Sequence, residues 1–162
     1  MTRPTDLDKQ AILNLIVDHL VQEAELFFRA ARAAQFEATD EQSKAENKYD
    51  TRGLEASYLA RGQSRQAAET EQALALFKAL TPRPFSSQDP IDVGAVVTLK
   101  GPRESDLFFV GPAMGGTEVS YQGHEITVIT PQSPLGQQLV GRRTGDRVRL
   151  PSGAERKISL VL

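Results

Sequence analysis

The strongest constraint on the fold is a heptad repeat of mostly apolar residues in the first half of the chain. These residues recur at alternating intervals of four and three in two segments, one from Leu13 to Ala38 and one from Ala56 to Phe77. Such spacing places them along one side of a helix, where a partner helix can cover them. Because only a short polar segment separates the two repeats, the sequence predicts an antiparallel coiled-coil hairpin over residues 1–80.

We call the residues of the two heptad repeats the seam residues, and their sizes support antiparallel pairing of the two helices. Seam residues become smaller toward Ala38 in the first helix and larger away from Ala56 in the second. Antiparallel pairing therefore joins small residues near the connection and large residues at the other end. The connection, at about residues 39–50, is the predicted tip of the hairpin. An alternative use of the same seams is self-association of a structural coiled-coil protein.

A linker and a change of period divide the chain after the hairpin. Residues 81–90 are rich in proline and serine, which is typical of a linker. Beyond it, short β-branched runs alternate with Gly, Pro and Asp, a pattern that predicts an antiparallel sheet. Ser133 is placed to cap one short helix that begins at Pro134. The predicted fold class is α+β, with residues 91–162 as a sheet domain that carries one short helix.

Composition excludes several classes of function. The chain of 162 residues contains no cysteine, which rules out disulfides and thiolate metal sites. No apolar run approaches the length of a membrane span, and no signal-peptide core is visible at the start, so we expect a cytoplasmic protein. The net charge of −2 gives no general tendency to bind polyanions. A local cluster of arginines is compatible with DNA binding or with a basic rim for a protein partner: Arg142, Arg143, Arg147 and Arg149.

The second half of the chain resembles a known family. The stretch VITPQSPLGQQLVGRRTGDRVRL is similar to the C-terminal domain of bacterial GreA/GreB-type transcript-cleavage factors. That domain carries a serine–proline pair, a short helix ending in Leu-hydrophobic-Gly, a Gly-Asp pair and a strand. VGAVVTLKG resembles its first strand and DLFFVGP its next, so the resemblance runs from Val93 to Leu162. A helical hairpin is the other half of the Gre architecture.

This resemblance implies an FKBP-like fold for residues 91–162 and a transcription elongation factor that binds RNA polymerase. The C-terminal domain would dock at the rim of the secondary channel, and the coiled coil would enter it. Carboxylates at the tip would help the polymerase to hold a second Mg²⁺ and a water, so that it cleaves backtracked RNA. The factor would be a monomeric accessory protein without an active site of its own. It would contact nascent RNA only indirectly and have no cofactor apart from that shared Mg²⁺.

The tip sequence matches the Gre pattern in part. Gre tips read Gly-Asp-x-x-Glu-Asn-x-x-Tyr. Here Glu46 and Asn47 match, Tyr49 comes one residue early, and Ser43 stands where the pattern has aspartate. The candidate tip residues are Asp40, Glu41, Glu46 and Asp50, of which Glu46 and Asp40 are the candidate metal ligands, in complex with polymerase only.

Two other interpretations of the tip stay open. Asp40, Ser43 and Ala45 keep the spacing of the Asp-x-x-Asp-x-Ala tip of DksA-type channel regulators, which act on polymerase without cutting RNA. Alternatively, Ser43 and Glu46 form a capping box at the start of the second helix. In that case the acids would stabilise the hairpin rather than act on a partner.

The Ser133-Pro134-Leu135-Gly136 stretch is the predicted docking loop for polymerase. Pro134 would fix the backbone, Leu135 would offer an exposed apolar contact, and Gly136 would permit close approach of the partner. The alternative is that the stretch only starts a helix and that Leu135 is buried. An FKBP-like fold would also be compatible with a prolyl isomerase, although the domain has few aromatic residues to line such a site and fold alone does not give function.

Overall fold

A computed structural model describes residues 7–40 and 51–162 of the chain. These residues form three helices and six strands. In chain order they are α1 (Lys9–Thr39), α2 (Arg52–Lys78), β1 (Val96–Lys100), β2 (Ser105–Val110), β3 (Glu118–Tyr121), β4 (His124–Ile129), α3 (Pro134–Leu139), β5 (Arg147–Arg149) and β6 (Glu155–Val161). The described helices include none that is both long and apolar enough to cross a membrane.

The chain divides into two compact units, and the division falls within the long helices. The helical unit is His19–Leu74, and the sheet unit is Met1–Asp18 together with Ala75–Leu162. The sequence placed the boundary at the 81–90 linker instead. The difference arises because both long helices contribute fully buried residues to the sheet unit, such as Ile12 and Phe77.

The burial of residues along α1 and α2 confirms the two heptad seams. Every seam residue from Leu13 to Ala38, and from Ala56 to Phe77, is buried or half-buried. The buried seam positions include small residues on both helices, namely Ala24, Ala31, Ala34, Ala56 and Ala67. Burial of such small side chains on both helices is what pairing along the seams requires.

The sheet unit has six strands in the order β3-β4-β2-β1-β6-β5. All neighbours are antiparallel except β2 and β4, which are parallel. The expectation of a wholly antiparallel sheet is therefore wrong for this pair. The cause is that the connection from β2 to β3 skips one strand position. The β3–β4 hairpin, which turns at Gln122 and Gly123 with positive φ (50° and 80°), therefore places β4 between β3 and β2.

Helical residues cover both faces of the sheet. On one face, α3 contributes Leu135 and Leu139 to a buried cluster that includes Val97 and Ile158. The opposite face carries Phe109, whose ring lies 6.3 Å from that of Phe77 near the end of α2. The middle strands of the sheet are therefore closely packed on both faces. Surfaces for contact with a partner are left to the outer strands.

Candidate functional site

The predicted tip lies mostly outside the described residues. Glu41, Glu46 and Asp50 fall in the segment that the structure does not describe. Asp40 is described: it directly follows α1, is half-buried, and its backbone N–H donates to the carbonyl of Phe36 at 2.9 Å. Asp40 is therefore the one candidate tip residue that the structure describes, and it lies at the end of the first helix.

Large exposed apolar side chains flank the tip segment on both helices. On α1, Phe36 is 72% exposed; on α2, Leu54, Tyr58 and Leu59 are each more than half exposed. None of them belongs to a heptad seam, so the heptad spacing does not predict a role for them. Their position outside the seams is nevertheless a signal of exposure in the sequence, because a large apolar residue there has no partner helix to cover it. These residues are further candidates for contact with a partner.

The predicted docking loop is the start of α3, and its first residue is a helix cap. The Ser133 hydroxyl accepts a hydrogen bond from the backbone N–H of Gly136 at 3.0 Å and donates to the carbonyl of Thr130 at 2.7 Å. Pro134 occupies the first helical position and is exposed. Both features confirm the local structure that the sequence predicts.

Two details of the docking prediction need correction. Leu135 is only 6% exposed and belongs to the core between α3 and the sheet, so it does not protrude as an exposed apolar contact. Gly136 is also buried, and a Cβ on it would lie 1.8 Å from the carbonyl oxygen of Thr130. The close approach that needs glycine is therefore made by this chain's own backbone.

The apolar feature at this place is a cavity rather than a protruding side chain. A cavity of about 640 Å³ lies beside the start of α3. Phe108, Leu135 and Leu150 give it an apolar lining, and Ser133 and Pro134 also line it. A partner side chain could enter this cavity and displace water from apolar surface. Three of the four predicted docking residues thus line one concave site.

A second cavity, of about 440 Å³, lies where the start of α1 meets the linker and the C-terminal residue. The Lys9 ammonium donates to the carbonyls of Arg83 and Leu162 and lies 4.5 Å from the centroid of the Phe85 ring. Burial, and secondly the charge of Arg83, lowers the pKa of Lys9 to about 8. Within the sheet unit, these contacts hold the start of α1 against the linker and Leu162.

The arginine cluster does not form one patch. Arg143 donates from Nε to the carbonyl of Gln88 at 2.8 Å, which makes it a support for the linker. Arg147 and Arg149 instead lie on β5, where both approach the Glu155 carboxylate at 3.7 Å. Arg147 and Arg149 therefore lie together on the edge strand β5 and can form part of a basic surface.

No metal centre is evident in the part of the chain that the structure describes. Within residues 7–40 and 51–162, no three His, Asp or Glu side chains come together to hold an ion. Any metal contact at the tip would therefore need ligands from a partner or from the segment 41–50.

Comparison with known proteins gives no match among protein-family models and none among curated proteins. Solved structures do match. The crystal structure of GreA factor homolog 1 (Gfh1) of Thermus thermophilus is 24% identical, with 90% of this chain and 94% of that chain covered and a TM-score of 0.38. Thermus aquaticus Gfh1 is 25% identical, with 89% of each chain covered and a TM-score of 0.36. These solved neighbours, which cover about nine tenths of the chain, are thus structures of Gfh1, a GreA factor homolog.

Proposed function

We propose that this chain is an accessory factor of RNA polymerase, of the Gre type, which binds at the secondary channel and acts on the polymerase active site. It has no active site of its own and works as a monomer in the cytoplasm. The sheet unit docks on the polymerase, and the tip residues act at the catalytic centre. DNA binding is not required for this function.

The observation that carries this proposal is the ordered set of motifs from Val93 to Leu162. The set resembles the Gre C-terminal domain throughout. The structure is compatible with this reading, because the serine–proline pair begins a capped helix beside an apolar cavity. The long helices α1 and α2 precede that domain, as the Gre architecture requires.

Docking is assigned to the rim of the cavity at the start of α3. Ser133 and Pro134 line it, while Leu135 forms part of its floor. A partner would place an apolar side chain in the cavity and contact Pro134 at the rim. Desolvation of such a contact contributes about 25 cal/mol for each Å² of apolar surface that is buried.

The tip carboxylates are assigned to the polymerase active site. In a cleaving factor, Glu46 and Asp40 would contribute oxygen ligands to a Mg²⁺ that the polymerase also holds, and carboxylate oxygens suit this hard cation. Asp40 follows α1 directly, so it can present its carboxylate at the end of that helix. In a non-cleaving regulator the same acids would alter the active site without completing a metal site.

An assay with a backtracked elongation complex distinguishes a cleaving factor from a non-cleaving regulator. The assay adds the protein to a complex stalled with a displaced RNA 3′ segment and follows the length of the RNA. Release of a short 3′ fragment supports cleavage, whereas slower nucleotide addition without cutting supports regulation. If the protein neither binds polymerase nor changes either rate, the proposed function is wrong.

Matched variants assign the roles of the two sites. Pro134→Arg should weaken polymerase binding, because it places a bulky charge at the rim of the cavity. Pro102→Arg changes another exposed proline of the same unit and should leave binding unchanged. Glu46→Gln should abolish any stimulated cleavage while it preserves binding. Equal binding by both proline variants would reject the docking site without rejecting the tip.

A further inference from the structure

Three cations form a row across neighbouring strands of the sheet unit. Lys157 on β6 pairs directly with Lys100 on β1 and with Arg147 on β5. Directly paired residues of adjacent strands lie on the same face of a sheet, so the three side chains share one face. All three are exposed. We call these residues the cation row.

The row carries an excess of positive charge that the chain does not neutralise. Arg149 extends the positive surface along β5, and the only carboxylate that the described residues bring within 4 Å of these cations is that of Glu155, at 3.7 Å from each arginine. Four cations and one carboxylate leave a local charge of +3, whereas the whole chain has −2. In the described part of the chain, Lys100 and Lys157 have no ion pair.

The adjacent residue of β6 shows how this chain pairs a cation that has only a structural role. Arg156 points to the other face, and its side chain is 10% exposed. Its guanidinium contacts Glu104 at 2.8 Å and Asp106 at 3.2 Å. β6 thus carries the paired Arg156 on one face and, on the other, Lys157, which has no ion pair with a described residue.

Like charges directly opposite one another on adjacent strands destabilise a sheet. The cation row contains two such contacts side by side, and a partner that supplies negative charge would relieve both. We propose that the cation row is an interaction surface for an acidic helix of a partner protein. The cation row shares no residue with the predicted tip or with the lining of the cavity at the start of α3, so the inference does not depend on the proposed function.

The spacing of the row selects a helix as the partner element. Neighbouring strands lie about 4.8 Å apart, so the two outer cations are roughly 10 Å apart at the backbone. Carboxylates at i, i+4 and i+7 of a helix lie on one side, about 6 Å and 10.5 Å along its axis from the first. Such a helix can place one carboxylate against each cation.

A nucleic acid fits this surface less well. Single strands are held by aromatic side chains on which bases stack, and β1, β5 and β6 contain no aromatic residue. Duplex DNA is bound through many phosphate contacts, of the order of 6–10. The row and Arg149 together offer four cations on a chain of negative net charge.

Binding of a labelled, stapled helical peptide with glutamates at i, i+4 and i+7 tests the inference. The full chain is titrated into the peptide at low ionic strength, and fluorescence anisotropy is recorded. The expected result is saturable binding that weakens with salt and is lost when the glutamates are replaced by glutamines. Removal of both lysines in Lys100→Gln/Lys157→Gln should weaken binding about threefold or more for each charge.

Two controls make the result specific. Lys78→Gln removes an exposed lysine elsewhere in the sheet unit and should leave peptide affinity unchanged. The reversed variant Lys100→Glu/Lys157→Glu should reject the glutamate peptide and bind a lysine version of it. Unchanged circular dichroism establishes that each variant is folded.

The inference is overturned by any of three results. The wild-type chain could fail to bind the glutamate peptide, or the double glutamine variant could bind it as well as Lys78→Gln does. A duplex DNA or a single-stranded RNA could also bind more tightly than the peptide and lose affinity in the same double variant, which would assign the row to nucleic acid.

Discussion

Replacement of Leu135 by alanine tests the inward orientation of this side chain. Leu135 is 6% exposed and packs with Leu139 in the cluster between α3 and the sheet. Leucine-to-alanine changes at enclosed sites cost roughly 2–5 kcal/mol, of which part reflects the cavity left behind. Here the side chain also lines the cavity of about 640 Å³, so its truncation widens an existing cavity instead of creating a new enclosed one. We therefore expect the low end, about 2–3 kcal/mol.

The measurement is urea unfolding of Leu135→Ala, combined with amide hydrogen exchange in β1 and β6. The free energy of unfolding should fall by the expected amount, and exchange should accelerate in both strands because the core beneath α3 is loosened. Val140→Ala is the matched control. Val140 follows α3 directly and is 36% exposed, so its truncation should cost no more than about 0.5 kcal/mol.

A change of less than about 0.5 kcal/mol for Leu135→Ala, equal to that of the control, would show that the side chain is not in the core. The burial argument would then be wrong, and Leu135 would again be the exposed docking contact that the sequence suggested. If the larger loss is observed, a polymerase-binding defect in this variant reflects lost structure rather than a lost contact.

Substitutions at four further positions have distinct expected effects on stability. Gly136→Ala should destabilise the sheet unit by about 2 kcal/mol or more in urea unfolding, because the added methyl group would overlap the Thr130 carbonyl. Gly62 has open space around it within α2, so Gly62→Ala should instead stabilise the chain by about 0.5–1 kcal/mol. The pKa of Lys9 is about 8 in the folded chain and 10.5 ordinarily, so between pH 8 and 10.5 the unfolded chain binds more protons than the folded chain. The free energy of unfolding should therefore rise with pH across this window. The rise should be steeper in wild type than in Lys9→Gln. Lys157→Gln should raise the free energy of unfolding by about 0.2–1 kcal/mol at low salt and by less at high salt, because it removes two repulsive contacts.

The helical half of the fold could be predicted from the sequence in detail. Every residue that the heptad spacing assigned to the seams is buried or half-buried in the structure. Ile16 and Ala73 are also buried, although they lie outside the seams. This worked because a seam is a local, repeated pattern in which each residue reports the same face of the helix. The cap at Ser133 was predictable for a similar reason, since its partner Gly136 is three residues away.

The sheet half was predictable as elements but not as pairings. Period-two alternation identifies a strand and its faces, yet it contains no information about the direction of the neighbour, so the parallel β2–β4 pair was missed. The cation row was missed for the same reason. Lys100 and Lys157 lie far apart in sequence, and only the register of β1 with β6 brings them together.

The motif at the start of α3 can be separated into residues that build the fold and residues that are free to dock. Ser133 closes the helix cap, Leu135 fills the core, and Gly136 admits the Thr130 carbonyl. Folding alone therefore accounts for three of the four residues, so the presence of these three in the sequence is weak evidence for a partner. Pro134 is different, because it is exposed at the cavity while the helix needs only its backbone there. The docking hypothesis thus depends on Pro134 and the cavity, where a substitution can change binding without the loss of a core contact.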